Sequence, residues 1–126
     1  MENDVNKKSI IDIAHLDEMT MGDAALKSEV LGLFRQQAEI WAKLLEPETE
    51  TPNWMVGAHT IKGSARSIGA WGLADICGGA EEAAKSGILS KDEKFMWREQ
   101  ILQALDDVII EIANLEHKIA MDSLKS

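Results

Sequence analysis

The chain has no tyrosine, one cysteine and two prolines, and aromatic residues make up only 5 % of it. Each scarcity excludes something. A single cysteine, Cys77, rules out an internal disulfide and is too little for a cysteine-based metal site. It sits in the apolar-rich run Leu73-Ala74-Asp75-Ile76-Cys77, which predicts a buried and inert thiol. No stretch approaches the roughly 18 unbroken apolar residues of a membrane span. Met1 to Ser9 are polar and charged and hold no apolar run of the kind a secretory signal needs, so a cytoplasmic protein is expected.

Positive charge is also in deficit. The net charge of −9 argues against nucleic acid, whose binding rests on basic neutralisation of phosphates, and against an anionic membrane surface. Enzyme signatures are missing too. There is no glycine-rich phosphate loop, no His-Glu-x-x-His pair and no Glu-x-x-His motif of the di-iron bundles. His15, His59 and His117 lie far apart, without metal-ligand spacing. His15 and His117 are expected at the surface, His117 near a helix C-terminus where a cation is mildly favoured.

What is present is apolar material in a helical rhythm. The 126 residues suit one compact domain, 1–126 with a core of about 10–118, and 45 % apolar content is enough to fill it. Strand-like alternation is absent and both prolines, Pro47 and Pro52, fall in one segment. A short helix is predicted from Ile10 to about Met19. A second runs from about Asp23 to Leu45, with Leu26, Val30, Leu33, Phe34, Trp41, Leu44 and Leu45 as its apolar stripe. A third begins at Thr51-Pro52, Thr51 as N-cap and Pro52 at the first helical position, and runs to Ile68 with Gly69 as its stop.

A fourth helix covers roughly Trp71 to Ser86, stopped by Gly87. Its pair Gly78-Gly79 costs about 1 kcal/mol per glycine relative to alanine, which close helix packing would explain. A fifth opens at Ser90, where Ser90 and Glu93 form a capping-box pattern. Its apolar face carries Ile101, Leu102, Leu105, Val108, Ile109, Ile112, Leu115 and Ile119, a length of about 28 residues. Short connections between long amphipathic helices give an all-α fold: an up-and-down antiparallel four-helix bundle with an additional short N-terminal helix.

His59 stands apart from the core pattern. With about 100° per residue, Trp54, Ala58, Ile61, Ala65 and Ile68 gather on one side of the third helix, and His59 points roughly 145° away from their centre. Lys62, Gly63 and Arg66 follow it by three, four and seven residues and share its face. The result is an exposed imidazole in a basic patch on an acidic chain. A neutral imidazole is a good nucleophile near pH 7. Lys62 and Arg66 would balance the charge of an incoming phosphoryl group, and Gly63 removes bulk that would keep a partner away. On spacing alone, an ordinary solvated histidine remains the competing reading.

The stretch Ala58-His59-Thr60-Ile61-Lys62-Gly63-Ser64-Ala65-Arg66-Ser67-Ile68-Gly69-Ala70 closely resembles the signature of histidine-containing phosphotransfer (HPt) domains. That pattern is a histidine, Lys-Gly-Ser at plus three to five, and Gly-Ala at plus ten and eleven; all are matched. The run from Leu73-Ala74-Asp75 to Glu81-Glu82-Ala83-Ala84-Lys85-Ser86-Gly87 looks like the family's next helix, and the resemblance extends over roughly Ile10 to Leu115. Many members have a second serine where this chain has Ala65, a position on the core side of the wheel.

The resemblance implies a phosphorelay carrier. A receiver domain holds an aspartyl phosphate, the His59 ring nitrogen, expected to be Nε2, attacks it in line, and the group passes on to a second receiver. It implies response-regulator receiver domains and a hybrid sensor histidine kinase as partners, with Mg²⁺ in the receiver and no cofactor or metal in this chain. Lys62 is expected at the surface, with an electrostatic role. Met55 and Val56, placed at the rim by the wheel, would help dock the receiver, or else be partly buried under the first helix. The carrier would be stoichiometric, not an enzyme that uses ATP, and a monomer. Two alternatives stay open: the histidine-bearing module of a chemotaxis-type kinase, phosphorylated by a separate catalytic core, and a non-catalytic helical adaptor.

Overall fold

A computed structural model describes residues 9–125. The polar N-terminal stretch, apart from Ser9, lies outside the described residues. Among the described residues there are five helices: α1 Ile13–Met19, α2 Ala24–Leu44, α3 Thr51–Ser67, α4 Trp71–Lys85 and α5 Lys91–Lys125. Helices α2 to α5 pack in the ring order α2, α3, α4, α5 and back to α2, an up-and-down bundle whose connections are residues 45–50, 68–70 and 86–90. The expected fold class is the one observed. Among the described residues no helix is long and apolar enough to cross a membrane.

Helix ends follow local chemistry. Asp12 and Asp23 cap α1 and α2 with their carboxylates, accepting from His15 N and Leu26 N. The first helix therefore starts at Ile13, after a bend at Ile10-Ile11 whose Ile11 is buried, and not at Ile10. Glu50, not Thr51, precedes α3; Thr51 is the first helical residue and its Oγ1 accepts from Leu89 N at 3.3 Å, tying the α4–α5 connection to the start of α3. Ser90 and Glu93 make the reciprocal bonds of a capping box, at 3.0 and 3.1 Å. From there α5 runs 35 residues, longer than the apolar face alone predicts, because its last turns carry polar residues that still favour helix.

The turn from α3 to α4 fixes the geometry of the site. Gly69 has φ +79°. Its N–H donates to Arg66 O at 3.2 Å and Ala70 N–H donates to Ala65 O at 2.8 Å, the paired bonds of a Schellman stop. Asp12 closes over the turn: its N–H donates to Gly69 O at 2.9 Å, its carboxylate accepts from Trp71 Nε1 at 3.0 Å, and a Cβ on Gly69 would meet Asp12 atoms at 3.0 Å. The Trp71 bond holds the Asp12 carboxyl below its usual range. His15, expected at the surface, is half-buried with its ring edge-on to Trp71 at 4.8 Å; His117 is exposed as expected.

The core confirms most of the apolar stripes. Trp54, Ala58, Ile61, Ala65 and Ile68 of the α3 segment are all buried, as are Ile101, Leu105, Val108 and Ile112 of α5. On α2 the buried line is Leu31, Phe34, Ala38, Trp41 and Leu45. Leu33 and Leu44, expected inside, are exposed: Leu33 follows Leu31 by two residues, about 200° around the helix. Trp54 is fully buried and donates from Nε1 to Leu45 O at 3.0 Å, capping the end of α2 from inside. The glycine pair of α4 has a packing role at Gly79, where a Cβ would lie 2.9 Å from the Trp97 indole of α5.

Candidate functional site

His59 lies in the middle of α3 on the outer face of the α3–α4 layer, its side chain 66 % exposed. The wheel prediction that it faces away from the core holds. Its exposure is directional, because one edge of the ring is engaged. Nδ1 lies 2.7 Å from Oε2 of Glu81, a residue of α4. An ionised carboxylate only accepts hydrogen bonds, so the ring proton sits on Nδ1 and donates to Glu81. Nε2 is left with its lone pair on the solvent side.

Glu81 is 8 % exposed and takes two donors: His59 on Oε2 and the Lys62 ammonium on Oε1. The Lys62 bond is the main reason its carboxyl stays below the usual range; desolvation pushes the other way and the His59 bond adds to the lowering. The carboxylate is therefore ionised at neutral pH although it is nearly buried. It fixes the ring of one neighbour and the ammonium of the other.

Lys62 departs from expectation. Its side chain is only 18 % exposed, with its Cδ at van der Waals distance, 3.7 Å, from where a Cβ on Gly78 would stand. The ammonium is directed into the α3–α4 seam toward Glu81 and not into solvent, because a buried carboxylate on the adjacent helix outcompetes water. A Cβ on Gly78 would make only an ordinary contact with the lysine stem, so the packing does not require glycine there.

Gly63 is exposed, and a Cβ built on it meets nothing within 4 Å, so the space beside His59 is open. Arg66 is exposed one turn further on. Val56 is exposed at 57 %, one turn before His59, whereas Met55 is half-buried and packs against the core. The structure therefore brings His59, Lys62, Gly63, Arg66 and Val56 to one patch and turns Met55 partly inward. Among the described residues no group of three or more His, Cys, Asp or Glu side chains could hold a metal ion.

Glu81 is the residue that sequence reading missed, yet a signal was there. On α4 the buried positions Leu73, Cys77, Ala80 and Ala84 define the inner face, and Glu81 lies four residues past Cys77 on that same face. A carboxylate on an apolar stripe has to find donors, and α3 supplies two.

Known proteins match this chain in sequence and fold. The Hpt domain family model matches residues 29–115. The crystal structure of the histidine phosphotransferase ShpA from Caulobacter crescentus aligns over 92 % of this chain and 99 % of its own, at 35 % identity and a TM-score of 0.71. A putative histidine-containing phosphotransfer protein from rice shares the fold, with 21 % identity, a TM-score of 0.72, and coverage of 94 % of this chain and 89 % of that one. No curated protein matches the chain. A matched stretch that spans α2 to most of α5, together with an outward histidine braced from α4, makes this chain a member of the Hpt domain family of histidine phosphotransfer proteins.

Proposed function

We propose that the chain is a phosphorelay intermediate that carries a phosphoryl group on Nε2 of His59 between aspartates of receiver domains. The observation that carries this reading is the Nδ1–H to Glu81 bond, which leaves Nε2 unprotonated and facing solvent beside the open space at Gly63. In the transfer, the Nε2 lone pair forms the N–P bond as the bond from phosphorus to the receiver's aspartyl oxygen breaks. The aspartate leaves as a carboxylate. No proton has to move: the ring keeps Nδ1–H and gains a positive charge, which the Glu81 carboxylate balances. The reverse step uses the same contacts, because the positively charged phosphorylated ring departs from phosphorus as neutral imidazole, a good leaving group.

Lys62 uses one of its three N–H donors on Glu81, so it holds the carboxylate and keeps donors for a phosphoryl oxygen. Arg66 supplies a second positive charge at the rim. Val56, and Met55 beside it, give the receiver apolar contact, and Gly63 lets its surface approach. Mg²⁺ held in the receiver's acidic pocket supplies the main counter-charge for the phosphoryl oxygens. The chain itself has no part in ATP chemistry on this reading, works in the cytoplasm as a monomer, and receives its phosphate from a hybrid sensor histidine kinase by way of a receiver domain.

A direct comparison tests the route. The chain is incubated with a phosphorylated receiver domain and, separately, with a chemotaxis-type kinase core and ATP. Rapid labelling by the receiver and slow or no labelling by the kinase core is expected. The opposite ranking would make the chain a kinase substrate module.

A further inference from the structure

The bundle has a concave surface on the side away from His59. Because the helices pack in the ring order α2, α3, α4, α5, the outer α2–α5 face lies across the bundle from the α3–α4 face. It holds a groove of about 610 Å³. The groove exists because α2 places alanines, Ala38 and Ala42, where larger side chains would fill the seam; Leu102, Leu105 and Ile109 of α5 complete an apolar floor. Arg35, on the groove wall, pairs across to Glu116 of α5 at 2.9 Å, and Arg98 of α5 pairs with Glu46 just past the end of α2 at 3.3 Å. On α5 the lining runs from Glu99 to Ile109, ten positions or about 15 Å, close to three turns of a guest helix.

The walls are anionic. Glu39 on α2 and Glu99 and Asp106 on α5 border the floor, and among the described residues none of the three takes part in an ion pair. From an apolar floor three turns long between unpaired carboxylates, we infer that this groove docks a basic amphipathic helix of a partner protein. The guest's apolar stripe would repeat at three and four residues, with Lys or Arg on its flanks to meet Glu39, Glu99 and Asp106. Charge disfavours a second copy of the chain as the occupant, since two chains of net charge −9 repel. A partner seated here leaves His59 free, so it can tether the protein without blocking transfer. The inference does not depend on the role assigned to His59.

The probe is a fluorescent synthetic helix with leucine on one face and lysine on its flanks, titrated into the full chain and followed by anisotropy. Two groove variants are compared with a control: Glu99→Gln with Asp106→Gln, Ala42→Phe, and Asp75→Asn with Glu82→Gln on α4, which removes the same charge elsewhere. Both groove variants are expected to weaken binding about tenfold or more, with the control within twofold. Amide shifts on peptide addition should fall on α2 and α5. No binding, equal weakening in both double variants, or shifts centred on α3 and α4 would overturn the proposal. So would a concentration-dependent dimer abolished by Ala42→Phe, which would make the groove a self-interface. The charge variants change only surface atoms, so the comparison survives if Ala42→Phe fails to fold.

Discussion

Glu81 does two things with one carboxylate, setting the tautomer of His59 and anchoring Lys62; on the proposed function it also balances charge on the phosphorylated ring. A hydrogen bond to a charged group is worth about 1.5–3 kcal/mol, so removing the charge should be felt in the chemistry. Glu81→Gln is expected to slow transfer to His59 about tenfold or more, measured by quenched-flow phosphotransfer. The same residue gives a pH signature. Its carboxyl lies below the ordinary value in the folded state, so it contributes stability above the unfolded-state value of about 4.3, and that contribution is lost as pH falls through the folded value. Urea unfolding at a series of pH values should show wild type losing stability below about pH 4.3 more steeply than Glu81→Gln. Parallel curves would mean that Glu81 is not held ionised by its donors. The patch around His59 was legible from single-helix spacing, because a wheel fixes direction. The Glu81 contact was not, since it joins two helices 22 residues apart in sequence and depends on their relative placement. The same placement turned Lys62 from an exposed cation into a seam residue.

At the scale of elements, the α3–α4 connection sets where Glu81 meets His59. Gly69 takes a left-handed conformation there, and Asp12 of the N-terminal entry closes on it. A side chain at that position adds backbone strain to the steric conflict with Asp12. Gly69→Ala is expected to lower the unfolding free energy by about 1–2 kcal/mol or more, read from urea denaturation. An unchanged midpoint would show that the turn relaxes freely. Helix boundaries such as the Gly69 stop and the Ser90–Glu93 start could be read directly, because their chemistry is local. The inner face of α2 could be read only in part. Its alanine, Ala38, is buried beside Leu31 and Phe34, while the larger Leu33 lies outside, so weighting by side-chain size favoured the wrong edge. Gly79 is explained only by what lies across from it, the Trp97 ring.

For the molecule as a whole, one core runs through the bundle and Cys77 reports on it. The thiol is fully buried, and burial pushes its pKa up to about 12. Native protein should resist an aromatic disulfide reagent at pH 8, and labelling across a urea series should follow the global unfolding transition. Fast labelling without urea would mean that α4 opens locally. The overall fold was legible because long amphipathic helices with short connections leave few ways to close a core. What sequence could not supply was the pairing of faces: His59 with Glu81 on one side, and the acidic groove between α2 and α5 on the other. The central claim is that His59 is the phosphate seat. Wild type and His59→Gln are each mixed with a phosphorylated receiver domain, and acid-labile, alkali-stable phosphate on the chain is measured. Wild type should gain one such phosphate, on Nε2 of His59, and His59→Gln none; label persisting in the variant, or no transfer to wild type from any receiver, would contradict the account.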